Sequence, residues 1–291
     1  MTWHSPKQSP GANTDFSTHP TGNDVGAVLR RLRKAAGLSG ERLAVRCAMS
    51  QSKISRIERG KLLASVADVE RILVALEVPR ETAEKIIALA RRANVEHVSI
   101  RALAEKGLWR AQFELKALTE ASAAVRSFLL SMPNGLIQIP DYVRAVVTPA
   151  LPSEPARDVE KMVDARLERQ RVLDDPNRHF TFILTEQAVR WRCAERSVMA
   201  RQCAHMAELS ERPNIEIAVV PLSSYVPDAP LNNFLVLDER MVIIELFSGR
   251  MVMRDYKDIK YHIELFELYY QYALTGDRAR AFLLSTRDEF M

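Results

Sequence analysis

Residues 39–60, SGERLAVRCAMSQSKISRIERG, constrain the fold of this chain more than any other stretch. Leu43, Ala44 and Cys47 fall on one face of a short helix, which Ala48-Met49 breaks. Ser50 can cap a second helix by accepting a bond from a free first-turn amide. That helix runs from about Gln51 to Arg59, with Ile54 and Ile57 on its inner face and Gly60 as its stop. Its outer face keeps Gln51, Ser52, Ser55, Arg56 and Arg59. Two short helices across a tight turn, the second presenting an amide and a guanidinium outward, suit the major groove of DNA. Gln can bond adenine through both its groups, and Arg can do the same with guanine. We assign Gln51, Ser52, Ser55 and Arg56 to base edges, and Lys53, Arg59, Arg42 and Lys61 to phosphates.

Charge supports this placement. Between Asp24 and Leu63 there are ten Lys/Arg and three acids, whereas the 291-residue chain as a whole carries only +4. The positive charge sits where the motif sits, as a phosphate-binding surface requires. Residues 1–23, rich in Ser, Thr, Pro, Gly and Asn, read as a disordered tail. Asn23 or Asp24 can cap a first helix ending at Gly37. Val66, Val69, Leu73 and Leu76 have core spacing in a fourth helix, and a fifth begins at Pro79. The expectation is a compact α domain of five short helices over residues 24–95.

The run from Ser50 to Gly60 resembles the recognition helix of Cro and lambda-repressor-like regulators, also called the xenobiotic-response-element type. That resemblance implies a five-helix DNA-binding fold in which Arg33 and Glu58 form a partly buried ion pair. It departs at Ala48, where the family often has a turn glycine. Ala48 must either accept a less comfortable backbone or shift the turn.

Residues 96–119 read as a helical linker, with Trp109 a packing anchor between domains. From residue 120 the pattern changes. Residues 124–130 fit helix or strand, and 133–135 (PNG) form a turn. Helices are expected at 141–147, 160–173, 185–190, 198–210, 259–273 and 279–290. Residues 179–184 (HFTFIL), 215–220 (IEIAVV) and 251–253 (MVM) read as strands, and 234–237 (FLVL) with 241–246 (MVIIEL) as a hairpin. Residues 120–291 are therefore expected to form an α+β domain with a mostly antiparallel sheet, which senses, dimerises or binds a partner.

This half resembles the C-terminal domain of unknown biochemical function in actinobacterial antitoxin-like regulators. The resemblance runs in order through 133–138 (PNGLIQ), 142–145 (YVRA), 166–170 (RLERQ), 184–186 (LTE), Glu208-Leu209, 213–217 (PNIEI), 219–221 (VVP), 234–237 (FLVL) and Glu245. Asn134 interrupts the family's Pro-Gly-Leu-Leu-Gln-Thr, and Ile139 replaces its threonine. The resemblance implies a repressor of its own operon and a small partner protein encoded nearby. A homodimer on a near-palindromic operator is expected, held by the apolar stripe of residues 256–274.

Enzymatic chemistry finds little foothold. His97, His179, His205 and His262 have no partner at metal-ligand spacing, and the ten glycines form no phosphate loop. Asp255-Tyr-Lys257 lacks the preceding acids a nuclease site needs. Glu245, among Ile243, Ile244, Leu246 and Phe247, needs a partner such as Arg166 or Arg169 if it points inward. Tyr256, Tyr261, Tyr269, Tyr270 and Tyr272 fit core packing better than a ligand pocket. No cofactor, metal or enzymatic activity is expected. Cys47, Cys193 and Cys203 lack disulfide-framework density, and no apolar run approaches the ~20 residues of a membrane span. The expected compartment is the cytoplasm. An adaptor, with DNA binding secondary to contacts of the C-terminal half, is the alternative.

Overall fold

The computed structural model describes residues 22–291. The expected tail, 1–23, lies outside the described residues except for its last two, which open the first helix. The chain divides into two compact units, Met1–Ala93 and Asn94–Met291.

In the first unit the helices are α1 Gly22–Ala35, α2 Gly40–Arg46, α3 Gln51–Glu58, α4 Val66–Ala75 and α5 Arg80–Ala93. Serine caps start three of them. Ser39, Ser50 and Ser65 hydroxyls accept from the backbone N–H of Arg42, Lys53 and Asp68 at 3.1, 3.2 and 3.1 Å. Because α1 starts at Gly22, Asn23 and Asp24 lie in its first turn rather than ahead of it as caps. The core joins Val25 and Leu29 of α1 to Leu43, Ile54, Ile57, Val69 and Ile72.

The second unit opens with a strand. β1 (Val95–Ser99) pairs antiparallel with β7 (Gly249–Met253), which corrects the reading of residues 96–119 as a helical linker. Five residues with only two apolar side chains give no strand signal of their own; the pairing comes from 150 residues downstream. α6 (Ile100–Lys106) and α7 (Arg110–Glu120) follow. Trp109 packs inside this unit, edge-on to Phe113 at 5.8 Å and against the cluster of Val143, Val147 and Met162.

The remaining strands and α-helices are β2 Ala124–Leu129, α8 Pro140–Val147, α9 Val159–Gln170, β3 His179–Thr185, α10 Glu186–Arg190, α11 Arg196–Leu209, β4 Ile215–Val220, β5 Phe234–Leu237, β6 Met241–Leu246, α12 Tyr256–Gln271 and α13 Gly276–Phe290. Seven strands form one sheet in the order β1-β7-β6-β5-β2-β3-β4. The sheet is mixed, not mostly antiparallel. β2, β3 and β4 are parallel, while β5, β6, β7 and β1 run antiparallel to their neighbours. The reason lies in the connections: β2 reaches β3 through α8 and α9, and β3 reaches β4 through α10 and α11, whereas short turns join β5, β6 and β7. Residues 124–130, ambiguous by pattern, supply the strand where the two halves meet.

Both faces of the sheet are covered, so its central strands read as near-continuous apolar runs. Phe180, Phe182, Leu184, Ile217 and Val219 face one core with Cys203, Met206 and Leu283. Ile183, Ala218, Val236 and Val242 face the other with Ile259, Phe266 and Tyr269. The apolar stripe of α12, expected to hold a dimer, is therefore used against the chain's own sheet. Tyr269 is core, Tyr270 bonds Glu216, and Tyr256 and Tyr261 are exposed.

Candidate nucleic-acid interface

The outer face of α3 rests on three fixed points. The first is the Ser50 cap, whose hydroxyl also lies 3.1 Å from that of Ser52. At the other end Glu58 meets Arg33 of α1 in a fork. Arg33 Nε donates to Glu58 Oε1 at 2.6 Å and Nη2 to Oε2 at 2.7 Å, while Nη1 donates to the Leu38 carbonyl at 2.7 Å. The two side chains are 13% and 8% exposed, so the pair is mostly withdrawn from water. The hydrogen bond to Glu58 raises the Arg33 guanidinium above its ordinary range, against the effect of burial. Two parallel bonds fix direction as well as distance, which sets the angle between α1 and α3.

The third point is Asp68 on α4, 4% exposed. Lys53 Nζ and Arg71 Nη2 both donate to its Oδ1 at 2.8 Å. Burial works to raise the Asp68 carboxyl, but hydrogen bonds from Lys53 and Ser65 and the charges of Lys53 and Arg71 hold it below the usual carboxylate range. Lys53, assigned to phosphates by its position in the sequence, is thus paired with Asp68 while its side chain stays 38% exposed.

α1 and α3 also touch through backbone. A Cβ on Gly26 would stand 2.2 Å from the carbonyl oxygen of Ile57, so only glycine permits this crossing. The turn before α3 resolves the choice posed at Ala48, which adopts φ 51°. Ala48 N–H donates to Val45 O at 3.1 Å and Met49 N–H to Ala44 O at 2.9 Å, the left-handed ending of a helix in which glycine is usual.

With these constraints in place, Gln51, Ser52 and Arg56 are exposed on α3, and Ser55 is half-buried beside them. Arg59 is exposed but folded back, its Nε donating to Ser55 O at 3.1 Å. Arg42 and Lys61 are exposed on the flanks. Gln51, Ser55 and Arg59 share a groove with Arg30 and Arg33 of α1. Arg30 was not singled out from sequence. Its signal was available: a cation on the helix face that the Arg33–Glu58 pair turns toward α3.

Elsewhere, Asp255 of the Asp255-Tyr-Lys257 run caps α12, accepting from Lys257 N–H at 2.9 Å. Among the described residues, no three His, Cys, Asp or Glu side chains gather as a metal set, and no helix is long and apolar enough to cross a membrane.

A family model described as "Domain of unknown function (DUF5753)" matches residues 112–285, and one described as "Helix-turn-helix domain" matches residues 24–86. No curated protein matches the chain. Among solved structures it is similar to TrmBL2, an archaeal chromatin protein whose structure shows a novel mode of DNA binding. That match has 15% identity and a TM-score of 0.33, covering 71% of this chain and 66% of that one, a little under two thirds. It is also similar to a phospholipase D family member, Nuc from Salmonella typhimurium, at 10% identity and a TM-score of 0.32, covering 57% and 90% of the two chains.

Proposed function

The chain belongs to the DUF5753 family and carries a helix-turn-helix domain ahead of that region, and from this premise we propose that it is a sequence-specific DNA-binding transcriptional regulator. In this reading the helical unit is of the Cro and lambda-repressor-like type, and the protein is an antitoxin-like repressor of its own operon. It acts in the cytoplasm and carries out no reaction.

The observation that carries the reading is the contrast across α3. Lys53 and Glu58 are engaged by Asp68 and Arg33, while Gln51, which shares a groove with Glu58, and Arg56, one turn from Lys53, stay exposed. Gln51 and Arg56, with Ser52 and Ser55, read base edges. Arg42, Arg59, Lys61 and Arg30 meet phosphates. One reader of this size covers a half-site, so tight specific binding needs two chains about a helical turn apart on a near-palindromic operator. We assign the pairing of chains, and the binding of a small partner protein encoded nearby, to the α+β unit.

Fluorescence anisotropy of the full chain on DNA flanking its own gene tests this. A reader shows one preferred near-palindromic segment, and its affinity falls steeply as salt rises. Weak binding blind to sequence on all such DNA would instead leave the adaptor reading.

A further inference from the structure

Within the α+β unit lies a cavity of about 310 Å³ lined by both apolar and charged side chains. Leu103, Leu108, Leu115, Leu136 and Met162 are among its apolar lining. Arg157, Arg166, Arg169 and Arg250 also line it, together with one carboxylate, the exposed Glu245. Two of these arginines are neutralised by acids outside the lining: Arg157 Nη2 donates to Glu154 and Arg250 Nη2 to Glu114, each at 2.6 Å.

Arg166 and Arg169, one turn apart on α9, are held differently. Arg169 is 7% exposed; its Nη1 donates to Gln112 Oε1 at 2.9 Å and its Nη2 to Asn134 Oδ1 at 3.1 Å. Arg166 Nη1 donates to Gln138 Oε1 at 2.6 Å. All three acceptors are neutral amides. The Nε atoms of Arg157, Arg166, Arg169 and Arg250 are buried without a hydrogen-bond partner among the described residues. Burial, with the neighbouring Arg166 charge, pushes the Arg169 guanidinium down to about 10, so it is still charged at neutral pH. The Glu245 carboxylate favours both charges through space but accepts no hydrogen bond from either. A buried cation hydrogen-bonded only to neutral groups is unfavourable for folding, and a fold needing hydrogen bonds alone could use an uncharged side chain. The walls meet both demands of a small-molecule site: an apolar body to be covered and convergent polar groups to fix one end.

We propose that this cavity binds a small amphiphilic carboxylate, its head on Arg166 and Arg169 and its apolar body against the leucines. The guanidinium fork matches a carboxylate in shape, and withdrawal from water strengthens the attraction. Glu245 disfavours a second negative charge, which selects a monoanion. The inference rests on the cavity alone and is independent of DNA binding.

Isothermal titration and thermal melting of the full chain with octanoate, octanamide and acetate test it. Octanoate is expected to bind at least tenfold more tightly than its neutral isostere octanamide, and than acetate, which lacks the body. It should also raise the melting temperature. Arg169→Met should lose tenfold or more in octanoate affinity. Leu103→Trp, which fills apolar space and leaves both arginines in place, should lose it as well and guards against a folding defect in the first variant. Equal binding of octanoate and octanamide, no binding of either, or octanoate affinity unchanged in both variants would overturn the proposal.

Discussion

Arg33 in the helical unit and Arg169 in the α+β unit are both largely removed from water, yet only Arg33 meets a carboxylate there. The Arg33–Glu58 fork fastens two helices and neutralises itself. Arg169 is held by Gln112 and Asn134, which fix its direction and leave its charge uncompensated by any hydrogen-bonded acid. The first arrangement is explained by the fold it maintains. The second places a charge on a cavity wall at some expense to folding, which is the behaviour of a binding group. The largest effect should come from separating the two cases. Glu58→Gln or Arg33→Met strands a partner and should lower stability by about 3 kcal/mol, the double variant recovering part of the loss. Arg169→Met removes hydrogen bonds but no ion pair, and should change stability by only about 1 kcal/mol in either direction. Denaturant unfolding of the full chain checks this; an Arg169→Met loss as large as that of Arg33→Met would erase the distinction.

Next in size is Gly26→Ala. The added methyl would collide with the Ile57 carbonyl, a rigid backbone atom, so α1 must move away from α3. Overpacking of this kind costs about 1–3 kcal/mol. Specific DNA affinity should fall along with the melting temperature, because the same crossing aims α3. Loss of stability with full specific affinity would show that the crossing angle is not what the DNA face depends on.

Two neighbours on α3 sharpen the division between its faces. Gln51→Ala should weaken specific binding by about 1–3 kcal/mol, hardly affect random DNA, and leave melting unchanged. Lys53→Ala should do the reverse: it should lower stability by roughly 1 kcal/mol, Arg71 still pairing Asp68, and weaken DNA binding little. The same site responds to acid. The folded Asp68 carboxyl lies below its unfolded value, so its contribution is fully present above about pH 4 and is lost as pH falls through the folded value. Acid unfolding of Lys53→Ala should therefore begin at higher pH than that of the parent. An unchanged acid midpoint, with uniform weakening on all DNA, would return Lys53 to the phosphates.

What could be read from the sequence follows from how local each signal is. The caps and faces of α2 and α3 are set within a few residues of one another, and short-range spacing exposes them. The Arg33–Glu58 pair spans 25 residues, and only the resemblance to a known helix-turn-helix fold suggested it. The parallel half of the sheet was missed because strand direction lies in the connections rather than in the strands. Arg166 and Arg169 stand out in the sequence only as partners for an inward Glu245, whose cavity they share, and nothing in their own turn marks the amides that hold them. Their acceptors Gln112, Asn134 and Gln138 lie 28 to 57 residues away. Asn134, which interrupts the run expected of the second family, is one of the residues that hold Arg169 in place.

The smallest expected effect tests whether the turn before α3 has been tuned or merely tolerated. In the helical unit, Gly37 and Gly60 follow α1 and α3 at φ 66°, while Ala48 and Glu77 follow α2 and α4 at φ 51° and 53°. A left-handed alanine is strained by about 1–2 kcal/mol relative to glycine, and glycine returns roughly 0.5–1 kcal/mol through its unfolded-state entropy. Ala48→Gly and Glu77→Gly should therefore each stabilise the unit by about 0.5 kcal/mol, seen as a small rise in denaturation midpoint. Their effects on DNA should differ only if the turn matters to docking. Because Ala48 already holds the conformation a glycine would adopt, specific affinity should stay within twofold in both variants. A Ala48→Gly variant that is more stable yet clearly less specific would mean that the alanine restrains the turn, and hence α3, in a way the static backbone angle does not reveal.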